Sequence, residues 1–321
     1  MTVPGAARDL ARGSGRPSAQ DREGNGEGRA RTVDLLAWGD AHLRPLPWRA
    51  TRDPWAVLVS EVMAQQTQVD RVIPRYHAFL ARFPDPAACA AVPPGDVVRL
   101  WAGLGYNRRA LNLHATAVAV VERHGGALPG DLPSLLALPG VGPYTARAVL
   151  AFAFERPVGV VDTNVGRVLA RWAGRSLRAA EAQAMADALV VVAAAPTGGG
   201  ERAWRWNQSV MELGASVCRR RRPDCGTCPV VDTCGWAAAG TLETDPADGS
   251  AGVSTGQPRF EGSDRQGRGR LVTALCAGPV AVDTVAEVMG WPDDRARADR
   301  VTVGLLADGL AVRDGEVLRL P

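Results

Sequence analysis

The chain contains no lysine, and all 37 of its basic side chains other than histidine are arginines. A lysine amine is the group that forms a Schiff base with a carbonyl substrate in covalent catalysis. Any reaction that proceeds through a lysine imine is therefore excluded by the sequence.

Long apolar runs are absent as well. The longest, Ala188–Ala195, is less than half of the roughly 20 residues that a membrane-spanning helix needs. Residues 1–30 are rich in glycine, alanine and arginine without an apolar segment, so they are predicted to form a disordered tail and no secretory signal. We therefore expect a cytoplasmic protein with no membrane partner.

Cysteine is scarce, with 6 in 321 residues, so a disulfide-stabilised secreted fold is disfavoured. Four of the six nevertheless follow the pattern C-x6-C-x2-C-x5-C, at Cys218, Cys225, Cys228 and Cys234. Short, uneven spacing lets one segment wrap four thiolates around a single centre, which is typical of a 4Fe–4S cluster. A structural zinc site and chance clustering are the alternatives.

Positive charge is concentrated in one part of the chain. Residues 31–236 hold 23 arginines and 17 acidic residues, whereas the remainder is net acidic. Four consecutive arginines, Arg219, Arg220, Arg221 and Arg222, lie between the first two clustered cysteines. Such a cluster indicates contact with phosphate, although a solvated charged loop fits the pattern equally well.

Residues 31–236 show helical periodicity and no alternating strand pattern, which predicts an all-α core. Apolar residues recur at spacings of three and four in Val57–Val69, Leu111–Glu122, Ala146–Phe154 and Val165–Trp172. Proline- and glycine-containing breaks separate these segments.

The C-terminal part differs in composition. Residues 237–270 are rich in Gly, Ser, Thr, Asp and Pro and are predicted to be a linker. Residues 271–321 are predicted to fold as a small module with helices in Leu271–Cys276, Val282–Met289 and Arg295–Leu310, followed by a hairpin. Three helices and a hairpin favour a winged-helix-like module or, equally, a small helical cap.

A helix, a tight glycine turn and a second helix are predicted across residues 135–149. Gly140 and Gly142 allow the sharp turn and expose amide N–H groups at the start of the second helix. These amides, together with the helix dipole, form a site for one phosphate group.

Two carboxylates are candidates for catalysis. Glu61 lies on an otherwise apolar face of the helix predicted in Val57–Val69. Desolvation there raises the pKa of a carboxyl group, as a general acid requires, although a buried structural glutamate is the alternative. Asp162 precedes an amphipathic helix, where an N-cap is its ordinary role.

Six ordered motifs together resemble the adenine DNA glycosylase (MutY) branch of the endonuclease III superfamily: Leu46–Arg49, Val59–Val69, Trp101–Tyr106, Leu138–Gly142, Val161–Val165 and the cysteine pattern. The resemblance covers about residues 31–236. It implies a two-lobed all-α helix-hairpin-helix fold with DNA in the cleft. Residues 53–160 would form a six-helix barrel, and residues 31–52 with 161–236 would form the lobe that holds one 4Fe–4S cluster.

The resemblance also implies roles for individual residues. Glu61 would protonate the departing adenine, and Asp162 would stabilise the sugar cation with support from Asn164. The adenine pocket would be lined by Arg44, Arg49, Tyr144 and Gln208. The residues that wedge into the base stack and contact the opposing 8-oxoguanine would be Gln66, Thr67, Leu104 and Tyr106.

Tyr144 separates two branches of this superfamily. Relatives that also cut the DNA strand carry a lysine at this position, whereas this chain has Tyr144 and no lysine elsewhere. The resemblance is incomplete at Asn107, where a second tyrosine is common, and at Gln208, which replaces an acid found in some members.

We therefore expect a monomeric, nucleoid-associated base excision repair enzyme. It would remove adenine from double-stranded DNA containing A:8-oxoguanine or A:G mispairs. The alternatives are a T:G mismatch thymine glycosylase of the same superfamily and a non-catalytic iron–sulfur DNA-binding protein. A MutT-like lesion-reading domain does not fit in the C-terminal residues, so either the short module contacts phosphate through Arg265, Arg268 and Arg270, or the core recognises the lesion alone.

Overall fold

The computed structural model describes residues 19–195, 199–240, 244–250 and 259–321, with side chains described from Arg31 onward. The fold is mostly helical, and the described part of residues 19–240 holds no β-strand. None of the described helices combines the length and the apolar character needed to cross a membrane. Two clusters of buried apolar side chains divide the molecule into two lobes.

The central lobe is built from consecutive helices of residues 54–152. Their bounds are α2 Pro54–Ala64, α3 Val69–Arg82, α4 Pro86–Ala90, α5 Pro94–Trp101, α6 Arg108–His124, α7 Leu132–Leu136 and α8 Pro143–Phe152. Three aromatic side chains, Trp101, Phe79 and Phe83, are fully buried. The ring of Phe79 meets the other two edge-on, at centroid distances of 6.3 Å to Trp101 and 5.1 Å to Phe83. These aromatic contacts fill the centre of the lobe.

Helix α2 lies at the middle of this lobe. Asp53 caps it by accepting a hydrogen bond from the Ala56 amide at 2.8 Å, and Pro54 occupies its first turn. Every residue from Trp55 to Met63 is buried. Neighbouring helices therefore cover α2 on all sides, including the face on which Glu61 lies.

The predicted helix Val57–Val69 is interrupted in the structure. Helix α2 ends at Ala64, and α3 begins at Val69. Gln66 between them adopts a φ of 53°, in the left-handed region that side chains other than glycine rarely occupy. The periodic pattern continued across this break because both helices contribute apolar residues to the same core.

The flanking lobe combines the N-terminal helix with helices that follow the central lobe. Its helices are α1 Ala19–His42, α9 Thr163–Ala173, α10 Ala179–Ala194, α11 Gly200–Ser216 and α12 Gly235–Ala238. The prediction of a disordered tail is wrong for residues 19–30, which belong to α1, and its residues 1–18 lie outside the described residues. Leu35 and Leu36 are buried in the lobe, and a helix anchored in this way extends at low cost because each added residue gains a hydrogen bond.

The predicted linker is partly structured. Asp245 pairs with the buried Arg171, at 2.5 Å between Oδ2 and Nη2, and the Ser250 hydroxyl accepts a hydrogen bond from the Leu177 amide at 3.1 Å. Residues 241–243 and 251–258 lie outside the described residues. The linker prediction is wrong for residues 264–270, which are helical, because a polar composition also suits a helix that faces solvent.

The C-terminal module begins with helix α13, Asp264–Ala277. It continues with strand β1 Val280–Ala281, α14 Val285–Met289, α15 Arg295–Ala307, β2 Val312–Asp314 and β3 Val317–Arg319. The strands form an antiparallel sheet in the order β1-β3-β2, with Leu318 opposite both Val280 and Arg313. The predicted hairpin is therefore joined by a third strand, which at two residues was too short to show alternation.

The module and the central lobe share one hydrophobic core. Leu271, Leu275 and Leu305 belong to the same buried cluster as Trp101. The Gly95 amide donates a hydrogen bond to the carbonyl oxygen of Pro321 at 2.9 Å. The last sixty residues are thus part of the central lobe's packing, which a linker prediction did not anticipate.

The shared core predicts cooperative unfolding. We expect Leu275→Ala, at a side chain 1 % exposed, to lower the free energy of unfolding by about 2–5 kcal/mol through loss of buried contacts. Val303→Ala, at a side chain 64 % exposed on α15, serves as the control and is expected to change it by less than about 0.5 kcal/mol. Denaturant unfolding monitored by tryptophan fluorescence should show that the module and the central lobe unfold in one shifted transition; separate transitions of Trp291 in the module and Trp101 in the central lobe would contradict the shared core.

Candidate active site

Glu61 and Tyr144 meet between the helices α2 and α8. The Tyr144 hydroxyl donates a hydrogen bond to Glu61 Oε2 at 2.8 Å. Glu61 is only 8 % exposed and sits one turn before the end of α2. A carboxyl group is thus held deep in an apolar lobe with a single hydroxyl donor.

Burial raises the pKa of Glu61 to about 7. The hydrogen bond from Tyr144 and the charge of Arg49 act in the opposite direction, whereas the charge of Asp162 raises the pKa further. Tyr144 itself has a pKa well above its ordinary value, first because of burial and then because of both carboxylates. Glu61 can therefore carry a proton near neutral pH while Tyr144 remains a donor.

Asp162 begins helix α9 and faces the same site. Its Oδ1 accepts a hydrogen bond from the Val165 amide at 2.7 Å, and its Oδ2 accepts one from Asn164 Nδ2 at 3.0 Å. Burial raises the pKa of Asp162, although these N–H donors lower it in part. The N-cap role expected from the sequence and a position close enough to influence Glu61 are both present.

Arg49 connects the predicted pocket residues. Its Nε donates to Gln208 Oε1 at 2.7 Å, and its Nη1 lies 2.8 Å from Glu212 Oε2. Arg44 Nε donates to the other oxygen of Glu212 at 2.6 Å. Glu212, 2 % exposed on α11, thus holds both arginines, and sequence reasoning missed it. The sequence feature that could have indicated Glu212 is its position four residues after Gln208, which places both on the same helical face.

A chain of hydrogen bonds connects Asp162 to the cysteine-containing segment. Asn164 donates to Asp162 and accepts from Arg167 Nη2 at 2.9 Å, while Arg167 Nε donates to the Cys218 carbonyl oxygen at 2.8 Å. Arg167 is 6 % exposed. The orientation of Asp162 therefore depends on a buried arginine that also holds the start of the cysteine loop.

The predicted wedge residues lie on two adjacent loops, and the structure separates their environments. Gln66 and Tyr106 are exposed, and both adopt positive φ, 53° and 48°. Thr67 bridges the loops, with its hydroxyl 3.2 Å from the Gln65 carbonyl oxygen and 3.5 Å from that of Leu104. Leu104 itself is 4 % exposed and packs in the central core, so its insertion into a base stack would require it to leave this position and stays a prediction.

Arg109 holds the two wedge loops together, and sequence reasoning missed this residue. Its Nη1 donates to the carbonyl oxygens of Val62 at 2.6 Å and Gln65 at 2.7 Å. Its Nη2 donates to Thr67 Oγ1 and to the Gly105 carbonyl oxygen, both at 3.1 Å. A planar guanidinium with five donors suits such bridging, and lysine does not. The strained backbone at both loops is thus restrained by one side chain.

The predicted helix-hairpin-helix is formed by α7, a turn and α8. Gly140 has a φ of 72°, and an added Cβ would lie 2.6 Å from the Asn112 side chain. Gly142 is the N-cap of α8 with extended backbone, and an added Cβ there meets no atom within 4 Å. Glycine is therefore required at position 140, whereas Gly142 leaves open space before the helix N-terminus.

The four clustered cysteines line one apolar pocket beside Arg171 and Trp236. Arg171 Nη1 donates to Cys218 Sγ at 3.2 Å, and burial raises the pKa of Cys228 to about 11. No three Cys, His, Asp or Glu side chains among the described residues converge closely enough to hold a single metal ion. Four thiols around one pocket fit the ligands of a multi-iron cluster, in which each thiolate binds a different iron.

The arginine loop between Cys218 and Cys225 presents its side chains to solvent. Arg219, Arg220, Arg221 and Arg222 are all exposed. The backbone of this loop is held by the buried Arg171, which donates hydrogen bonds to the carbonyl oxygens of Arg219 at 2.9 Å and Arg220 at 3.4 Å. The loop is therefore a positively charged surface on a restrained backbone.

Comparisons with known proteins identify similar sequences. The sequence profile of the HhH-GPD superfamily base excision DNA repair proteins matches residues 59–194. The chain is 42 % identical over 284 residues to the adenine DNA glycosylase of Mycobacterium tuberculosis H37Rv, which covers 88 % of this chain and 90 % of that protein.

Solved structures show a similar fold. A thermostable thymine-DNA glycosylase has a TM-score of 0.60 and 26 % identity, and the match covers 67 % of this chain and 99 % of the other. An endonuclease III in a trapped covalent intermediate with DNA has a TM-score of 0.56 and 21 % identity, covering 68 % of this chain and 98 % of the other. The expected superfamily and mostly helical fold are confirmed.

The raised pKa of Glu61 predicts how stability depends on pH. Because the native carboxyl group holds its proton up to about pH 7 and the unfolded one releases it near 4.5, the native state binds more protons in this window. Stability contributed by Glu61 is therefore lost as pH rises from about 4.5 to 7. We expect Glu61→Gln to be more stable than the wild type by about 3 kcal/mol at pH 8 and about equally stable at pH 4. Equal differences at both pH values, measured by denaturant unfolding, would contradict the raised pKa.

Proposed function

Because the chain belongs to the HhH-GPD superfamily of base excision DNA repair proteins, we propose that it is a monofunctional adenine DNA glycosylase acting on A:8-oxoguanine and A:G mispairs. The observation that carries the proposal is Glu61, a buried carboxyl group with a pKa of about 7 that is close to a second, partly buried carboxyl group, that of Asp162. This arrangement suits cleavage of an N-glycosidic bond by acid catalysis.

Glu61 donates its proton to a ring nitrogen of the extruded adenine. The bonding electrons of the N-glycosidic bond then leave with the base, and positive charge develops on the sugar. The Asp162 carboxylate, oriented by the Val165 amide and Asn164, offsets this charge. Water adds to the sugar carbon and releases a proton, so the products are free adenine and an abasic site.

The base must leave the duplex before it reaches Glu61. We propose that Arg44, Arg49 and Gln208 border the adenine pocket and that Glu212 positions the two arginines. Gln66 and Tyr106 would enter the base stack, since both are exposed and Arg109 restrains their loops. Strand cleavage through a lysine imine is not expected. Tyr144 occupies the position at which strand-cutting relatives carry the reactive lysine, and the chain contains no lysine elsewhere.

Two surfaces would hold the duplex. One is the turn at Gly140 and Gly142, where the first amides of α8 can bind a phosphate group. The other is the loop Arg219–Arg222, with four exposed guanidinium groups. The C-terminal module is proposed to be winged-helix-like, supported by its helices α13 to α15 and its strand order β1-β3-β2. A monomer associated with the nucleoid would suffice for this activity.

A 4Fe–4S cluster is proposed as the cofactor, held by Cys218, Cys225, Cys228 and Cys234, whose side chains border one pocket. When bound, the cluster supplies covalent cross-links between the ends of the arginine loop. Arg171, with its hydrogen bonds to Cys218 Sγ and to two loop carbonyl oxygens, would fix the loop against the lobe. The cluster takes no part in the bond breaking described above.

Purified protein distinguishes this cluster from zinc. We expect about four iron atoms and four sulfides per chain, with broad absorption at the violet end of the visible spectrum. Cys228→Ser should lose the absorption and weaken duplex binding, whereas Cys276→Ser, outside the cysteine pocket, should keep the absorption. Colourless protein that contains one zinc ion per chain would exclude the cluster.

Single-turnover assays on labelled duplexes test the reaction. We expect adenine release from A:8-oxoguanine and A:G, with a rate that falls as pH rises through about 7 because Glu61 loses its proton. Glu61→Gln should lose at least about a hundredfold in rate while it retains duplex binding. The DNA strand should stay intact until the abasic site is treated with alkali.

The same assay contains its own controls. Glu122→Gln removes an exposed carboxylate on α6 and should leave the rate unchanged. Full activity in Glu61→Gln would refute the assigned acid. Preferential release of thymine from a T:G duplex would favour the thymine glycosylase alternative, which the similarity to a thymine-DNA glycosylase structure keeps open.

A further inference from the structure

An open groove of about 600 Å³ lies between the central lobe and the C-terminal module. One wall is formed by Gly103, Gly105 and Asn107 of the second wedge loop, together with Arg71 of α3. The other wall is formed by α13 and the segment that precedes it. The volume lies within the range of about 300–1,000 Å³ that is usual for ligand sites.

The lining of the module wall suits a nucleotide. Phe260 is 57 % exposed, and the guanidinium of Arg265 lies 5.9 Å above its ring. Arg270 is exposed at the groove, and its Nη1 donates to the Met289 carbonyl oxygen at 3.0 Å, which keeps the guanidinium in place. Aromatic faces stack on bases and guanidinium groups hold phosphate, so together they match one nucleotide.

The two walls are held in a fixed relation. Arg108, the first residue after the wedge loop, donates to Asp308 Oδ1 at 3.0 Å, and Arg268 of α13 pairs with the other oxygen of Asp308. The shared hydrophobic core and the hydrogen bond from Gly95 to Pro321 add further contacts between module and lobe. The groove is therefore present before any ligand arrives.

The position of the groove indicates which strand it faces. It is lined by the wedge loop that carries Tyr106, but by none of Glu61, Tyr144 and Asp162. An extruded adenine occupies the Glu61 side of this loop, and its former partner stays on the other strand. We propose that the groove binds a nucleotide of the DNA strand opposite the extruded base, with the base against Phe260 and the phosphate at Arg270. This inference depends on the glycosylase function proposed above.

Gly269 offers a test that removes no contact. It lines the groove on α13, and an added Cβ would meet no atom within 4 Å. Gly269→Leu therefore fills the groove without a clash, and Gly269→Ala is the matched control, since both replace a helical glycine by a better helix former. On a duplex with uncleavable 2′-fluoroadenosine opposite guanine, we expect about tenfold weaker binding for Gly269→Leu, as for Phe260→Ala. Gly269→Ala should stay within about twofold of the wild type.

Arg270→Ala is expected to weaken binding and to reduce the slope of log affinity against log salt concentration by about one. Arg300→Ala is the control, because this arginine of α15 has a side chain 67 % exposed and does not line the groove. Unchanged affinity in Gly269→Leu and Arg270→Ala would overturn the proposal.

Photocrosslinking identifies the strand. With 5-iodouracil placed next to the mispair, we expect an adduct at Phe260 when the label is in the strand opposite adenine. An adduct formed only with the adenine strand, or equally with both, would overturn the assignment. The two proposals fail separately: wild-type protein that releases no adenine contradicts the glycosylase function, while the crosslink still reports whether the groove holds the opposite strand.

Discussion

The burial of one carboxyl group, Glu61, is the constraint around which the rest of the site is arranged. Helix α2 is covered on all sides, so Glu61 loses its hydration, and its pKa rises to about 7. The hydrogen bond from Tyr144 and the charge of Arg49 lower this pKa in part, whereas the charge of Asp162 raises it further. A lobe designed only for stability would place an apolar residue here. Burial of this carboxyl group costs stability above its pKa, and the raised pKa is what the proposed proton donor requires.

Buried and half-buried arginines connect this centre to the surfaces that would contact DNA. Arg109 ties both wedge loops to the end of α2, Arg167 links Asn164 to the Cys218 carbonyl oxygen, and Arg171 holds the arginine loop. Each guanidinium bonds two or more separate segments, which the compact ammonium group of lysine does less well. The absence of lysine thus has two consequences: it removes the imine route and leaves all such bridging to arginine.

The C-terminal module lies beside the second wedge loop, and buried contacts fix its position as well. Because its core is continuous with that of the central lobe, α13 stands in a fixed place beside Gly103 and Gly105. A short module can in this way contribute to the groove that we propose binds the second strand. The arginines predicted to contact phosphate therefore have different environments. Arg268 forms an ion pair with Asp308, whereas Arg270 lines the groove.

Local patterns in the sequence were enough to predict the helical core and the N-cap at Asp162, because each depends on residues a few positions apart. The expectation that no lysine imine forms depends instead on the composition of the whole chain. The motifs around Glu61 and Asp162 further indicated the superfamily. Tertiary structure alone decided which side chains meet: Arg171 with Asp245, 74 residues later, Arg109 with loop carbonyl oxygens more than 40 residues earlier, and Glu212 with Arg44. It also buried Leu104, extended α1 and α13 beyond their predicted starts, and formed the groove. These features depend on how distant segments pack, and apolar periodicity carries no information about which distant partner a side chain will contact.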